Sequence, residues 1–113
     1  MIEDKIKNSV IWITGLSGAG KTTLAKSIYR KLSKNRNNVM LLDGDELRSI
    51  FLKRKIDINN HSREARLKLA YEYSNYCKVL QEQGFEVIIA TISMFKEIHA
   101  LNRIQLNNYF EVY

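Results

Sequence analysis

A chain of 113 residues is limited to one small domain, and 45% hydrophobic residues are enough for a single core. One cysteine, Cys77, excludes an intramolecular disulfide framework and suits a reducing, cytoplasmic setting. No apolar run approaches the ~18–20 residues of a membrane span, the stretch Met1 to Lys5 lacks the apolar core of a signal peptide, and the net charge of +6 is spread from Lys5 to Lys96 without a nucleic-acid-binding motif, so neither a membrane nor a nucleic acid is an expected partner.

After a polar lead-in, Val10-Ile11-Trp12-Ile13-Thr14 is a short apolar, β-branched run, the pattern of a strand buried on both faces of a parallel sheet. It runs straight into Gly15-Leu16-Ser17-Gly18-Ala19-Gly20-Lys21-Thr22, a complete G-x-x-x-x-G-K-[ST] phosphate loop. Glycines let successive backbone N–H groups turn inward around a polyphosphate, Lys21 adds a mobile positive charge, and the Thr22 hydroxyl is a ligand for Mg²⁺. These residues and the adjoining Thr23 are the candidate binding site for ATP. Downstream, Leu24, Ala25, Ile28, Tyr29 and Leu32 recur at helical spacing, so a helix N-terminus points at the anion.

Polar residues Ser33 to Asn38 end that helix, and Val39-Met40-Leu41-Leu42 reads as a second buried strand closed by Asp43-Gly44-Asp45. Open parallel sheets bind ligands at the carboxyl ends of their strands, which places Asp43 and Asp45 beside the phosphate loop. Asp45 also opens an amphipathic segment, Glu46 to Leu52, containing Arg48, and an aspartate there is equally suited to capping a helix. The run Lys53-Arg54-Lys55 reads as a solvated surface. A long helix from Ser62 to about Gln83 carries Leu69, Tyr73, Tyr76 and Leu80 on one stripe, and Gly84 terminates it. Arg63 and Arg66 lie in its first turn, against the preference of the helix dipole, and read either as an anion site or as a solvated face. Phe85 to Thr91 is the third strand, with Ile92 and Ser93 in its exit loop near the site. A helix from about Lys96 to Leu106 with Ile98, Leu101 and Ile104 inward follows, and a fourth strand begins at Tyr109. His61 and His99 have no partners at metal-ligand spacing.

In this order, "WITGLSGAGKTTLAK", "LLDGDELR", "ATIS" and "FEVY" resemble the adenylylsulfate kinase family of P-loop kinases from Val10 to Tyr113. The Asp-Gly-Asp-x-x-Arg element makes the resemblance specific. It implies an α/β, three-layer P-loop fold with about four parallel strands present, the first two separated by the third, helices on both faces and right-handed crossovers. It further implies transfer of the γ-phosphate of ATP to the ribose 3′-hydroxyl of adenylylsulfate. By position, Asp45 would be the base, Lys21 the phosphate ligand, and Thr22 and Asp43 the Mg²⁺ shell, while Asp45, Arg48, Arg63, Arg66, Ile92 and Ser93 would face the acceptor. A small nucleotide is therefore the expected partner, with homodimer formation left open.

Departures from the family fall on the acceptor side. Where its members read Gly-Phe-Ser and then Asp-Arg-x-x-Asn-x-Arg-Arg, this chain has Ile58-Asn59-Asn60 and then Ser62 to Leu69, with Arg66 where an asparagine would contact the acceptor and Met94 for the proline of Ile-Ser-Pro. A related acceptor, such as the cytidine diphosphoramidate used by relatives in capsule synthesis, is the alternative expectation. The family's lid follows the fourth strand and has no counterpart here, so the expectation is a truncated product or a partial sequence. A chain that binds a nucleotide without catalysis is the third reading. No Asn-Lys-x-Asp motif supports a GTPase.

Overall fold

The computed structural model of the chain describes residues 8–15, 20–51, 62–92 and 95–112. Leu16 to Ala19 of the phosphate loop, the segment from Leu52 to His61, and Ser93 and Met94 lie outside the described residues. Four strands, β1 (Val10–Thr14), β2 (Val39–Asp43), β3 (Glu86–Thr91) and β4 (Tyr109–Val112), form one sheet in the order β2-β3-β1-β4. All three pairings are parallel, so β3 separates the first two strands and β4 lies at the edge beside β1. Among the described residues the helices are α1 (Lys21–Ser33), α2 (Gly44–Phe51), α3 (Arg63–Glu82) and α4 (Lys96–Gln105).

Alternation along the strands divides the core into two layers, as period-two geometry requires. Val10, Trp12, Val87 and Ile89 face Leu47 of α2, Leu69, Tyr73 and Cys77 of α3, and Ile98 of α4. Ile13, Ile88 and Ala90 face Ala25 of α1, with Ile28, Tyr29 and Leu32 packed against them. All six residues of β3 are buried, which explains why this central strand reads as a continuous apolar run rather than an alternating one. Cys77 is a packing residue whose thiol burial pushes up to about 12, and among the described residues it is a free cysteine.

Ser62 caps α3 by accepting the Ala65 N–H at 3.2 Å, and Gly84, at φ +94°, takes the left-handed turn that returns the chain to β3. Two helical positions depart from expectation. Leu24 is 40% exposed at the rim of the α1 stripe, and Ile104 is 85% exposed. Asn102, one turn beyond Ile98, takes the inward place on α4 instead. Its amide nitrogen donates to the Tyr109 hydroxyl at 3.1 Å, its oxygen accepts from the Ser74 hydroxyl, and Gln105 donates to Ser74 at 2.6 Å, so a polar network ties α3, α4 and β4 together. At the opposite end of the sheet from Asp43, the side-chain amide of Gln81 holds the Asn8 and Asn107 carbonyls.

Candidate active site

Parallel register brings the strand ends level: Thr14 is paired with Thr91, and Asp43 with Ala90. A cleft of about 430 Å³ opens there, lined by Gly20, Lys21, Thr22 and Thr23 from the start of α1, by Asp43, Gly44, Asp45 and Arg48 from the β2–α2 junction, and by residues of α3 and of the end of β3. The sequence-derived residues from three separate stretches thus share one cavity at the carboxyl ends of the strands, where this class of sheet places its ligands.

On the α1 side, Gly20 has φ +82°, a left-handed conformation that a β-carbon would strain. No side chain caps α1 and its first turn contains no acid, so the N-terminal peptide groups stand against Lys21 with nothing anionic of the helix's own. That arrangement suits a polyphosphate. Of the loop residues expected to bind ATP, Gly15, Gly20, Lys21, Thr22 and Thr23 are described, and Leu16, Ser17, Gly18 and Ala19 are not.

At the β2–α2 junction the helix begins at Gly44, one residue before the sequence pattern placed it. The cap is consequently Asp43 rather than Asp45: Asp43 Oδ1 accepts the Asp45 N–H at 2.8 Å. This frees the Asp45 carboxylate, which is exposed and makes no hydrogen bond or ion pair to a described residue. Gly44 is itself required, since a β-carbon there would lie 2.9 Å from the Ala90 carbonyl oxygen. The exposed Thr22 hydroxyl and the second carboxylate oxygen of Asp43 are hard oxygen donors lining one cavity, a donor set that fits Mg²⁺ completed by water and phosphate.

The remaining wall of the cleft comes from α3 and the end of β3. Arg66, Leu69, Tyr73, Thr91 and Ile92 line the cleft, whereas Ser93 lies outside the described residues. The two arginines of the first turn separate. Arg66 reaches the cavity, with its guanidinium 5.9 Å from the Phe95 ring centroid and a buried Nε that has no hydrogen-bond partner among the described residues. Arg63 is not among the residues lining the cleft; its guanidinium sits 5.1 Å from the Phe95 ring centroid and pairs with Glu97 at 2.9 Å. Glu97 is held below the usual carboxylate range by its own backbone N–H and by Arg63. The sequence placed Tyr73 on the stripe of α3, favouring the core over a ligand platform. Its place in the cavity follows from the packing of α3 on α2, which no local pattern encodes.

Among the described residues no helix is long and apolar enough to cross a membrane. The model of the family described as adenylylsulphate kinase matches residues 7–113. The chain is 45% identical over 104 residues to a cytidine diphosphoramidate kinase of Campylobacter jejuni, an alignment covering 92% of this chain and 58% of that protein. It is 38% identical over 107 residues to the adenylyl-sulfate kinase of Pseudomonas aeruginosa, covering 93% and 53%. The structure of the Mycobacterium tuberculosis APS kinase in complex with AMPPNP and APS superposes with a TM-score of 0.74 at 29% identity, covering 93% of this chain and 61% of that one. The chain therefore spans a little over half the length of these curated relatives, with 58% and 53% of them matched. The matched span takes in the phosphate loop, the Asp-Gly-Asp junction and the strands of the β2-β3-β1-β4 sheet, and the chain belongs to the adenylylsulphate kinase family.

Proposed function

We propose that the chain carries the donor and base halves of an ATP-dependent kinase acting on a ribose hydroxyl of a small nucleotide, with the 3′-hydroxyl of adenylylsulfate as the reference acceptor. The observation that carries this reading is the exposed carboxylate of Asp45, which bonds to no described residue, in the same cavity as Lys21, Arg48 and Arg66. Phosphoryl transfer needs positioning and charge neutralisation more than covalent help. Lys21 and the uncapped start of α1 hold the phosphates. Asp45 takes the proton of the acceptor hydroxyl as its oxygen bonds to the γ-phosphorus and the bond to the leaving ADP breaks. Thr22 and Asp43 would hold Mg²⁺, which when bound would add to the neutralisation of the phosphate charge. Arg48 and Arg66 receive the acceptor's anionic groups.

Cytidine diphosphoramidate is the second acceptor, favoured by the 45% identity with the Campylobacter jejuni kinase and by the concentration of departures on the acceptor side. Mass analysis of products from ATP with each nucleotide tests the reading. A phosphorylated nucleotide supports it and identifies the acceptor; nucleotide binding with no product from either would replace it with the binding-only alternative. Arginine substitutions give an independent check. Arg66→Ala is expected to raise the acceptor KM about tenfold or more, the cost of a lost charge-assisted contact of ~1.5–3 kcal/mol. Arg63→Ala, which removes only an exposed ion pair with Glu97, is expected to leave that KM near wild type. Equal effects would show that the two arginines share the task.

A further inference from the structure

We propose that Tyr73 is a positioning residue for phosphoryl transfer, clamping the Gly44–Asp45 peptide group from which the Asp45 carboxylate projects. The proposal rests on the assignment of Asp45 as the base. Tyr73 is 3% exposed, lines the cleft, and donates its hydroxyl hydrogen to the Gly44 carbonyl oxygen at 2.6 Å. The other end of that same peptide group is the Asp45 N–H, which Asp43 Oδ1 accepts at 2.8 Å. A peptide group is planar, so holding its oxygen and its hydrogen with two directional bonds restricts its tilt, and with it the placement of the Asp45 Cα from which the side chain leaves the backbone.

A third contact prevents the plane from backing away. The Gly44 Cα packs so closely on the end of β3 that an added β-carbon would lie 2.9 Å from the Ala90 carbonyl oxygen and 3.3 Å from the Thr91 Cα. Tyr73 in turn has little freedom, since its ring lies 5.9 Å from that of Phe51, which also meets Tyr76 edge-on at 5.6 Å. Burial raises the Tyr73 pKa, keeping the hydroxyl a donor throughout the range in which a kinase works. Burial of the Tyr73 ring alone would be served equally by phenylalanine. The hydroxyl makes its hydrogen bond to the one carbonyl that adjoins the base, and displacing a base by a fraction of an ångström is costly to transfer.

Tyr73→Phe tests the clamp while keeping the ring. With ATP and whichever nucleotide serves as acceptor, kcat is expected to fall about tenfold while the KM for ATP stays unchanged. Hydrogen exchange at the Asp45 amide, read by NMR on the chain without nucleotide, is expected to accelerate. In an Asp45→Asn background the same substitution should lower kcat no further, because its effect passes through the carboxylate. A fall of equal size in both backgrounds, an unchanged kcat, or unchanged exchange at Asp45 would each overturn the positioning role. If Asp45→Asn alone retains full turnover, the assignment of the base fails and this inference fails with it. Loss of turnover in Asp45→Asn with wild-type kcat in Tyr73→Phe overturns the clamp alone.

Discussion

Asp45→Asn is expected to lower turnover by about 10²–10⁴-fold, the usual contribution of a positioned general base, while leaving ATP binding intact. The substitution is a clean one because of how the β2–α2 junction is built. Asp45 holds its place through its backbone N–H, bonded to Asp43 Oδ1 at 2.8 Å, and its side chain bonds to no described residue. Asparagine is of nearly the same size and keeps that N–H, so neither the cap nor the start of α2 is disturbed. What disappears is the capacity to accept the acceptor's proton, together with one negative charge beside Arg48 and Lys21. In free-energy terms the expected loss is about 3–5 kcal/mol of transition-state stabilisation. Steady-state turnover and nucleotide titration on the same preparation check the prediction. Turnover equal to wild type would remove Asp45 from the chemistry and leave the cavity as a binding site only.

How far the residues announced this arrangement depends on whether the physics is local. β1, β2 and β3 are continuous apolar runs because parallel strands are covered on both faces, and α1 follows its loop as the motif demands. The sheet order came from family resemblance, since nothing in a strand's own residues says which neighbour it takes. Ile104 shows where periodicity weighted by hydrophobicity fails. Counting from Ile98, the inward positions of α4 include 102 and 105, which are Asn and Gln, and they are accepted there because Ser74 and Tyr109 satisfy them. A reader tallying apolar residues selects Ile104, which lies on the other side of the helix at 85% exposure.

The site divides along the same line. That Lys21, Thr22, Asp43 and Asp45 share one cavity was legible because each belongs to a short motif at the carboxyl end of a strand. Arg63 and Arg66, three residues apart on one turn, could not be told apart by spacing. The distinction is made by Glu97 at the start of α4, which pairs with Arg63 across a separation of 34 residues. Tyr73 belongs to the same class of residue: its stripe predicted burial, and only the packing of α3 against α2 gave its hydroxyl the Gly44 carbonyl.

Arg36→Ala is expected to destabilise the fold by about 3–5 kcal/mol, the cost of leaving one member of a buried ion pair without its partner. Glu86 opens β3 with a side chain only 1% exposed, and the Arg36 guanidinium meets both of its carboxylate oxygens, at 2.5 and 2.6 Å. Arg36 stands in the turn between α1 and β2, and is itself 19% exposed. The pair is reinforced where it sits, since the Glu86 N–H donates to the Asn38 carbonyl at 2.9 Å and the Asn38 side chain donates to the Gly84 carbonyl at 2.8 Å. These bonds join the entry of β2 to the entry of β3 at the end of the sheet opposite the cleft. Removing Arg36 leaves a carboxylate in the core with its hydration lost. A small domain has only about 5–15 kcal/mol of stability in total, so the effect should be visible as a large drop in Tm and in the urea midpoint. Replacing both residues, Arg36→Met with Glu86→Leu, should recover most of the loss, because the penalty arises from the stranded charge more than from the missing bond. Equal instability of the double and single variants would mean instead that the bonds themselves hold the two strand entries together.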